Sequence, residues 1–316
     1  MSIEIDRMIF SNPVIMQRIP TPKDLLALVL AAAVAVSAAA CGRADDGAPV
    51  VGAVTVTLSA ARAPIGSPLE MTYRFTLAPD APPLGPRRVF VHFLDMDDEF
   101  MWADDHEPPT PTTAWQPGQT IEYTRTIFLP VYPYTGETRV VLGLYTPETT
   151  DRAGRVRFSN TDRGDRSYQV ATFELGPQTE NLFVIFKDGW HPAEIAGDGP
   201  GDEWQWTKKE ATLSFKNPGR DVTLFLQADN PSAGPDTAQA LEVWSGDQLV
   251  GTVPVAAGEA PIRKVPITAA QLGTGETVEL RLVADKTFVP ALQPGSTSND
   301  TRELGVRVFH AFVQPG

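Results

Sequence analysis

Asp104, Asp105, His106 and Glu107 stand side by side, the densest run of acid–base side chains in the 316-residue chain. Neighbouring carboxylates can split their pKa values into an acid and a base, and a histidine between them can shuttle protons. Two features oppose catalysis. Adjacent strand residues point to opposite faces, so the four converge only across a bulge. Pro108-Pro109 then fixes a turn. The competing reading is a polar strand end whose Asp carboxylates accept from loop amides. Asp95, Asp97, Asp98 and Glu99 offer further oxygens, but calcium takes about six to eight and the EF-hand glycine is missing. Asp97-Asp98 instead reads as a hairpin turn. The histidines at 92, 106, 191 and 310 show no H-E-x-x-H spacing, and there is no G-x-S-x-G, Walker A or dinucleotide-binding glycine motif. His92, in an apolar strand, and His310, sharing parity with Val306, Val308 and Phe312, read as core or rim residues. No catalytic residue, metal site or cofactor is expected.

The aromatic residues point to binding. Sugars present C–H faces that stack on Trp, and hydroxyls that pair with Asp, Glu or Arg. Four of the six Trp (Trp190, Trp204, Trp206 and Trp244) lie beyond residue 182. Trp204 and Trp206 share one face of a strand. If that strand ran unbroken to Phe215 with Ala211, Leu213 and Phe215 inward, both Trp would face out. A turn at Lys208-Lys209 would cancel this. Asp300 and Arg302 share parity, and Arg can hold a sugar hydroxyl or a carboxylate. Should the long loops 196–201 and 290–298 meet, Trp190, Glu194, Trp204, Trp206, Asp300 and Arg302 are the ligand-binding candidates, an apolar floor with charged walls. Two plainer readings stand beside this: the Trp close the end of a core, and Asp300 and Arg302 pin a loop by pairing with each other.

The elements that must position these residues are strands. A content of 29 Pro and 25 Gly, with many Thr and Val, predicts short strands and frequent turns. Strands are expected at 51–58, 69–77, 88–96, 99–105, 120–129, 138–145 and 168–175. Met71, Tyr73, Phe75 and Leu77 alternate with Thr72, Arg74 and Thr76. Seven short strands predict an immunoglobulin-like sandwich over residues 50–176. After a link at 177–181, further strands are expected at 182–186, 211–216, 222–227, 241–244, 248–255, 262–266, 278–283 and 305–313. They predict a jelly-roll sandwich, galactose-binding-like, over residues 182–316. Ser245-Gly246-Asp247-Gln248 marks a hairpin, and Thr268-Ala269-Ala270-Gln271 a capping box with one short helix. The fold class is all-β, two tandem sandwiches.

A net charge of −13 opposes binding to nucleic acid. The single Cys excludes an intramolecular disulfide. Residues 25–40 form an uncharged, Ala-rich run, too short for a comfortable span, preceded by Arg18 and Lys23 and ending in Ala38-Ala39-Ala40-Cys41. This resembles the lipobox of bacterial lipoproteins, with Ala38 where Leu is usual. The resemblance implies a signal peptide at 1–40, a diacylglycerol and further acyl chain such as palmitate on Cys41, and a tether at 41–49. Gly42, rather than Asp, implies by the same resemblance export across the inner membrane and an outer-membrane anchor facing the periplasm or the cell surface. An ordinary secretory signal and an uncleaved anchor helix remain alternatives. Met8 or Met16 could be the start.

Val89-Phe90-Val91-His92-Phe93, Asp104-Asp105-His106-Glu107-Pro108-Pro109, Trp115-Gln116-Pro117-Gly118 and Tyr132-Pro133-Tyr134 resemble a sandwich domain of bacterial envelope proteins. Gly189-Trp190-His191-Pro192-Ala193-Glu194, Trp204-Gln205-Trp206-Thr207 and Asp300-Thr301-Arg302-Glu303-Leu304-Gly305-Val306 resemble jelly rolls attached to bacterial membrane glycosyltransferases. These resemblances imply a non-enzymatic envelope lipoprotein that binds an extracytoplasmic polysaccharide or its biosynthesis and export machinery. Its partners would be membrane lipid through Cys41, and a polysaccharide or membrane glycosyltransferase. The alternatives are a glycan hydrolase or lyase working through Asp104–Glu107, and a purely structural envelope spacer.

Overall fold

The computed structural model describes residues 47–149, 154–196, 203–231, 239–256 and 260–316. The signal-like run, Cys41 and most of the tether lie outside the described residues. Among those described, no helix is long and apolar enough to cross a membrane.

The first half contains β1 (Gly52–Leu58), β2 (Arg62–Pro64), β3 (Pro68–Leu77), β4 (Arg88–Leu94), β5 (Phe100–Ala103), β6 (Thr120–Phe128), β7 (Gly136–Tyr145) and β8 (Tyr168–Gly176). They form two sheets, ordered β1-β3-β6 and β2-β8-β7-β4-β5. All pairings are antiparallel except β2 with β8. This is the immunoglobulin-like division of strands, with one added short strand pairing in parallel at the sheet edge. Alternation produces the core: Met71, Tyr73, Phe75 and Leu77 are buried between the sheets while Arg74 and Thr76 face water. Asp97-Asp98 turns the β4–β5 hairpin with Asp98 at φ 65°, and Asp95 Oδ1 accepts the amides of Asp97 and Glu99, each at 2.9 Å. The Asp98 carboxylate pairs with Arg139 and Arg163, so these acidic side chains stabilise a turn.

The second half contains β9 (Val184–Phe186), β10 (Glu194–Ile195), β11 (Glu203–Trp206), β12 (Glu210–Lys216), β13 (Val222–Asp229), β14 (Gln239–Ser245), β15 (Gln248–Val255), β16 (Ile262–Ile267), the helical turn α1 (Ala269–Leu272), β17 (Thr277–Ala284) and β18 (Arg307–Pro315). The sheets run β10-β11-β18-β13-β16 and β15-β14-β17-β12-β9. Eight of these strands, β11 to β18, interleave as a jelly roll, with β9 and β10 added at the edges. A separate apolar core from Leu213 to Val313 lies between the sheets. Thr268 and Gln271 form the expected capping box on α1.

Two local irregularities overturn sequence expectations. The strand 204–215 is not continuous. Thr207 is fully buried and hydrogen-bonds to Val306 through its amide, at 2.9 Å, and through its hydroxyl, at 3.0 Å. Residues 207–209 then turn the chain from β11 in one sheet to β12 in the other. Gly305 crosses this turn so closely that a Cβ there would strike Thr207 and Lys208. Both Trp still project from the face away from the core, because Trp206 stands opposite Arg307 while Gln205 stands opposite core-facing Val308, but Trp206 is covered and only 6% exposed. The second irregularity is a bulge where β18 pairs with β13: Gln227 opposes His310 and Ala228 opposes Val308, leaving Phe309 unopposed. The extra residue reverses parity. Val306 and Val308 face the core, whereas His310 and Phe312, expected on the same side, face the first sandwich.

There the two sandwiches touch. The Phe128 ring stacks on His310 at 4.5 Å and meets Phe312 at 6.4 Å. Lys264 pairs with Glu70 across the same junction.

Candidate functional site

Within the run 104–107, Asp104 and His106 come together, the Asp104 carboxylate 3.6 Å from His106 Nδ1. Asp104 is held by the Arg125 guanidinium at 3.0 and 3.1 Å. Asp105 accepts the Val91 amide at 3.1 Å and lies 3.7 Å from His92 Nε2. His106 is buried, and its Nδ1 donates to the Asp104 carbonyl at 2.9 Å. A carbonyl only accepts, so the other nitrogen, Nε2, accepts from the Tyr123 hydroxyl at 2.8 Å. Burial lowers the His106 pKa, so this imidazole is a neutral bridge, and burial raises that of Tyr123 above its ordinary value. Glu107 is exposed. Among the described residues no group of three or more His, Cys, Asp or Glu side chains is placed to hold a metal ion.

Of the binding candidates, three are brought together. Arg302 pairs with Glu194 at 2.7 Å and grips both oxygens of Asp300 at 2.6 to 3.1 Å. The guanidinium and the Arg302 amide hold the Asp300 pKa down to about 2. This triad pins the segment preceding β18 to β10, which leaves its charges largely engaged with one another. The Trp residues separate. Trp206 packs edge-on against Phe288 at 5.6 Å. Trp190 donates through its indole N–H to the Thr212 carbonyl at 2.9 Å and lies against Phe186 at 4.5 Å. Trp204 stands directly opposite Glu194 in the β10–β11 ladder, with the Arg307 guanidinium 4.9 Å over its ring and Phe309 at 6.2 Å. Most of the loop 196–201 lies outside the described residues.

Trp204 lines a different concavity, a cleft of about 650 Å³ between the two sandwiches. The first sandwich contributes Trp102 and Asp104 at the end of edge strand β5, and residues 127–131 at and beyond the end of β6; the second contributes 203–205 of β11, the bulged residues 308–310 of β18, and Phe186. Trp102 is fixed by stacking on Phe93 at 4.8 Å with the rings 16° apart. Burial lowers the His310 pKa, against the opposing pull of Glu203. Trp102 Nε1, Trp204 Nε1 and Gln205 Oε1 are buried without a hydrogen-bond partner among the described residues. Each such atom costs about 1–3 kcal/mol. Sequence reasoning sought recognition at the end of the second sandwich and did not single out Trp102, Gln205 and Phe309, which line this cleft. Trp102 gave a signal, as a large aromatic residue on a short strand, but nothing in its sequence neighbourhood identifies Trp204 as its counterpart.

The sheets and the cleft define an all-β, two-sandwich protein with a concavity where the sandwiches meet. No family model matches the chain, and no curated protein is similar to it. Solved structures with which it shares weak similarity include the CBM51-2 domain with GlcNAc, together with INT domains, of Clostridium perfringens ZmpB: 11% identity, 83% of this chain, 41% of that chain, TM-score 0.23. A calcium-binding mutant of Bacteroides uniformis beta-glucuronidase 2 shows 9% identity over 83% of this chain and 30% of that one, with TM-score 0.25. The plant receptor-like kinase ANX2 shows 9% identity over 79% and 82%, with TM-score 0.26. This chain spans well under half the length of the first two. Similarity at this level does not extend to function.

Proposed function

We propose that this chain is a non-enzymatic, lipid-anchored envelope protein that binds an extracytoplasmic polysaccharide in the cleft between its sandwiches. The observation that carries this reading is the cleft itself: a concavity with an aromatic side chain from each sandwich, Trp102 and Trp204, and polar atoms interspersed among apolar walls. Such composition suits a sugar ring, whose C–H face stacks while its hydroxyls hydrogen-bond. A protein partner would call for a larger, flatter apolar face. The anchor rests on the lipobox resemblance at Cys41, and the engagement of Asp104, Asp105 and His106 with Arg125, the Val91 amide and Tyr123 favours binding over hydrolysis. Export or assembly machinery, including a membrane glycosyltransferase, would then meet the protein through the glycan both handle.

The test uses the full-length protein in detergent, with a broad glycan array followed by calorimetry on the hits. Expected are saturable glycan binding and a loss of about tenfold in affinity for Trp204→Ala, with the melting temperature largely kept. An empty array would overturn the reading, as would hits whose affinity is indifferent to both Trp102→Ala and Trp204→Ala.

A further inference from the structure

The cleft between the sandwiches is aromatic and acidic at once. Trp102, Phe128, Phe186, Trp204 and Phe309 line it, with two carboxylates, Asp104 and Glu203, and no Lys or Arg. His310 in the same wall has its pKa lowered by burial and adds no positive charge at neutral pH. The cations that touch lining residues are answered within the chain: Arg125 by Asp104, and Arg307 by Asp229 at 2.7 Å. Glu203 is exposed and makes no ion pair among the described residues. Its charge reaches the cleft wall, because it opposes the lowering of the His310 pKa. The surplus charge of the lining is therefore negative: Asp104 is balanced and Glu203 is not.

A carboxylate on open surface is screened by water on all sides. In a concavity, low-dielectric walls concentrate its field. Aromatic rings add to the attraction, since the electron-rich face of a ring draws a cation. The wall already shows this, with the Arg307 guanidinium 4.9 Å from the ring centres of both Trp204 and Phe309. The net charge of −13 acts in the same direction at longer range. A sugar with a free amino group matches both features of the lining: its C–H face suits the aromatic walls, and its ammonium group suits Glu203. An acidic sugar would bring a second negative charge beside Glu203, with no unpaired cation in the lining to answer it.

We infer that the cleft recognises a glycan bearing free amino groups, such as a polymer of unacetylated hexosamine, in preference to neutral and acidic glycans, and that Glu203 sets this preference. The inference rests on the glycan-binding reading and specifies its ligand class.

The experiment titrates the full-length protein in detergent with glucosamine, N-acetylglucosamine and galacturonate oligomers of equal length, which carry positive, no and negative charge on similar rings. The glucosamine oligomer should bind about tenfold or more tighter than the N-acetylglucosamine oligomer, by a margin that shrinks with added salt. An acidic protein attracts polycations over its whole surface, so a charge-matched control is included: Asp247, exposed in the turn between β14 and β15 and outside the cleft lining. Glu203→Gln should weaken the glucosamine oligomer about tenfold and leave the N-acetylglucosamine oligomer nearly unchanged. Asp247→Asn should alter neither. Equal losses in the two variants, or no loss in Glu203→Gln, would show diffuse attraction and overturn the assignment to the cleft. An N-acetylglucosamine or galacturonate oligomer binding as tightly as the glucosamine one would overturn the inference and leave glycan binding standing. No binding by any probe, together with an empty array, would overturn both readings.

Discussion

Replacing Trp206 by Ala separates a structural tryptophan from a ligand-contacting one. Trp206 is 6% exposed and packs against Phe288 with rings 74° apart at 5.6 Å. A buried aromatic side chain removes about 150–250 Å² from water. At about 25 cal/mol per Å² this gives roughly 4–6 kcal/mol. Residual burial in the unfolded chain and the retained Ala surface lower the figure, and the lost edge-to-face pair restores about 0.5–1.5 kcal/mol. The net expectation is a loss of about 3–5 kcal/mol, the range usual for large aromatic residues in cores. In urea denaturation followed by circular dichroism, Trp206→Ala should lower the unfolding free energy by about that amount, while Trp204→Ala, at the half-buried cleft position, should cost clearly less. Glycan affinity, measured well below the melting temperature, should be nearly kept in Trp206→Ala and reduced in Trp204→Ala. A loss below about 1 kcal/mol for Trp206→Ala, combined with abolished binding, would refute the assignment and return Trp206 to the surface.

Two further predictions address the anchor and acid stability. Cys41→Ser, which has no thiol to take a diacylglycerol, should leave the protein unprocessed or free of the membrane; equal incorporation of labelled palmitate into wild type and variant would contradict the lipobox. His92, His106 and His310 all have pKa values lowered by burial, so the unfolded chain binds more protons in acid. The stability they contribute is present above the unfolded imidazole value of about 6.5 and is lost as pH falls from there toward their lower folded values. Unfolding free energy should therefore decline below about pH 6.5, less steeply in His106→Gln, and an increase on acidification through that window would refute the neutral His106 bridge.

The fold was readable wherever alternation was uninterrupted. In β3, the strict exchange of Met71, Tyr73, Phe75 and Leu77 with polar neighbours identified the buried face without ambiguity. Turn chemistry located the hairpins at Asp97-Asp98 and Ser245-Gly246, and the capping box located α1, because these signals are local and depend on only a few backbone torsions. What escaped were the short edge strands, β2 and β10. Their three and two residues are too few to show a period, and only pairing defines them: β2 with β8, and β10 with β11.

The cleft escaped for a related reason: it depends on register, which a parity argument assumes is constant. Counting by twos along β18 places His310 on the face of Val306 and Val308. One unopposed residue, Phe309, reverses the parity and turns His310 and Phe312 toward Phe128 of the other sandwich. The same bulge places residues 308–310 in the cleft wall, opposite Trp102 on a strand more than 200 positions earlier. Without the extra residue, His310 would be directed to the apolar core, and the stacking contact that joins the sandwiches would be lost. A single local insertion therefore fixes both the junction between the two halves and the shape of the space they enclose. This is why a reading by constant parity, which sought recognition at the end of one sandwich, could not see the cleft at the seam between both.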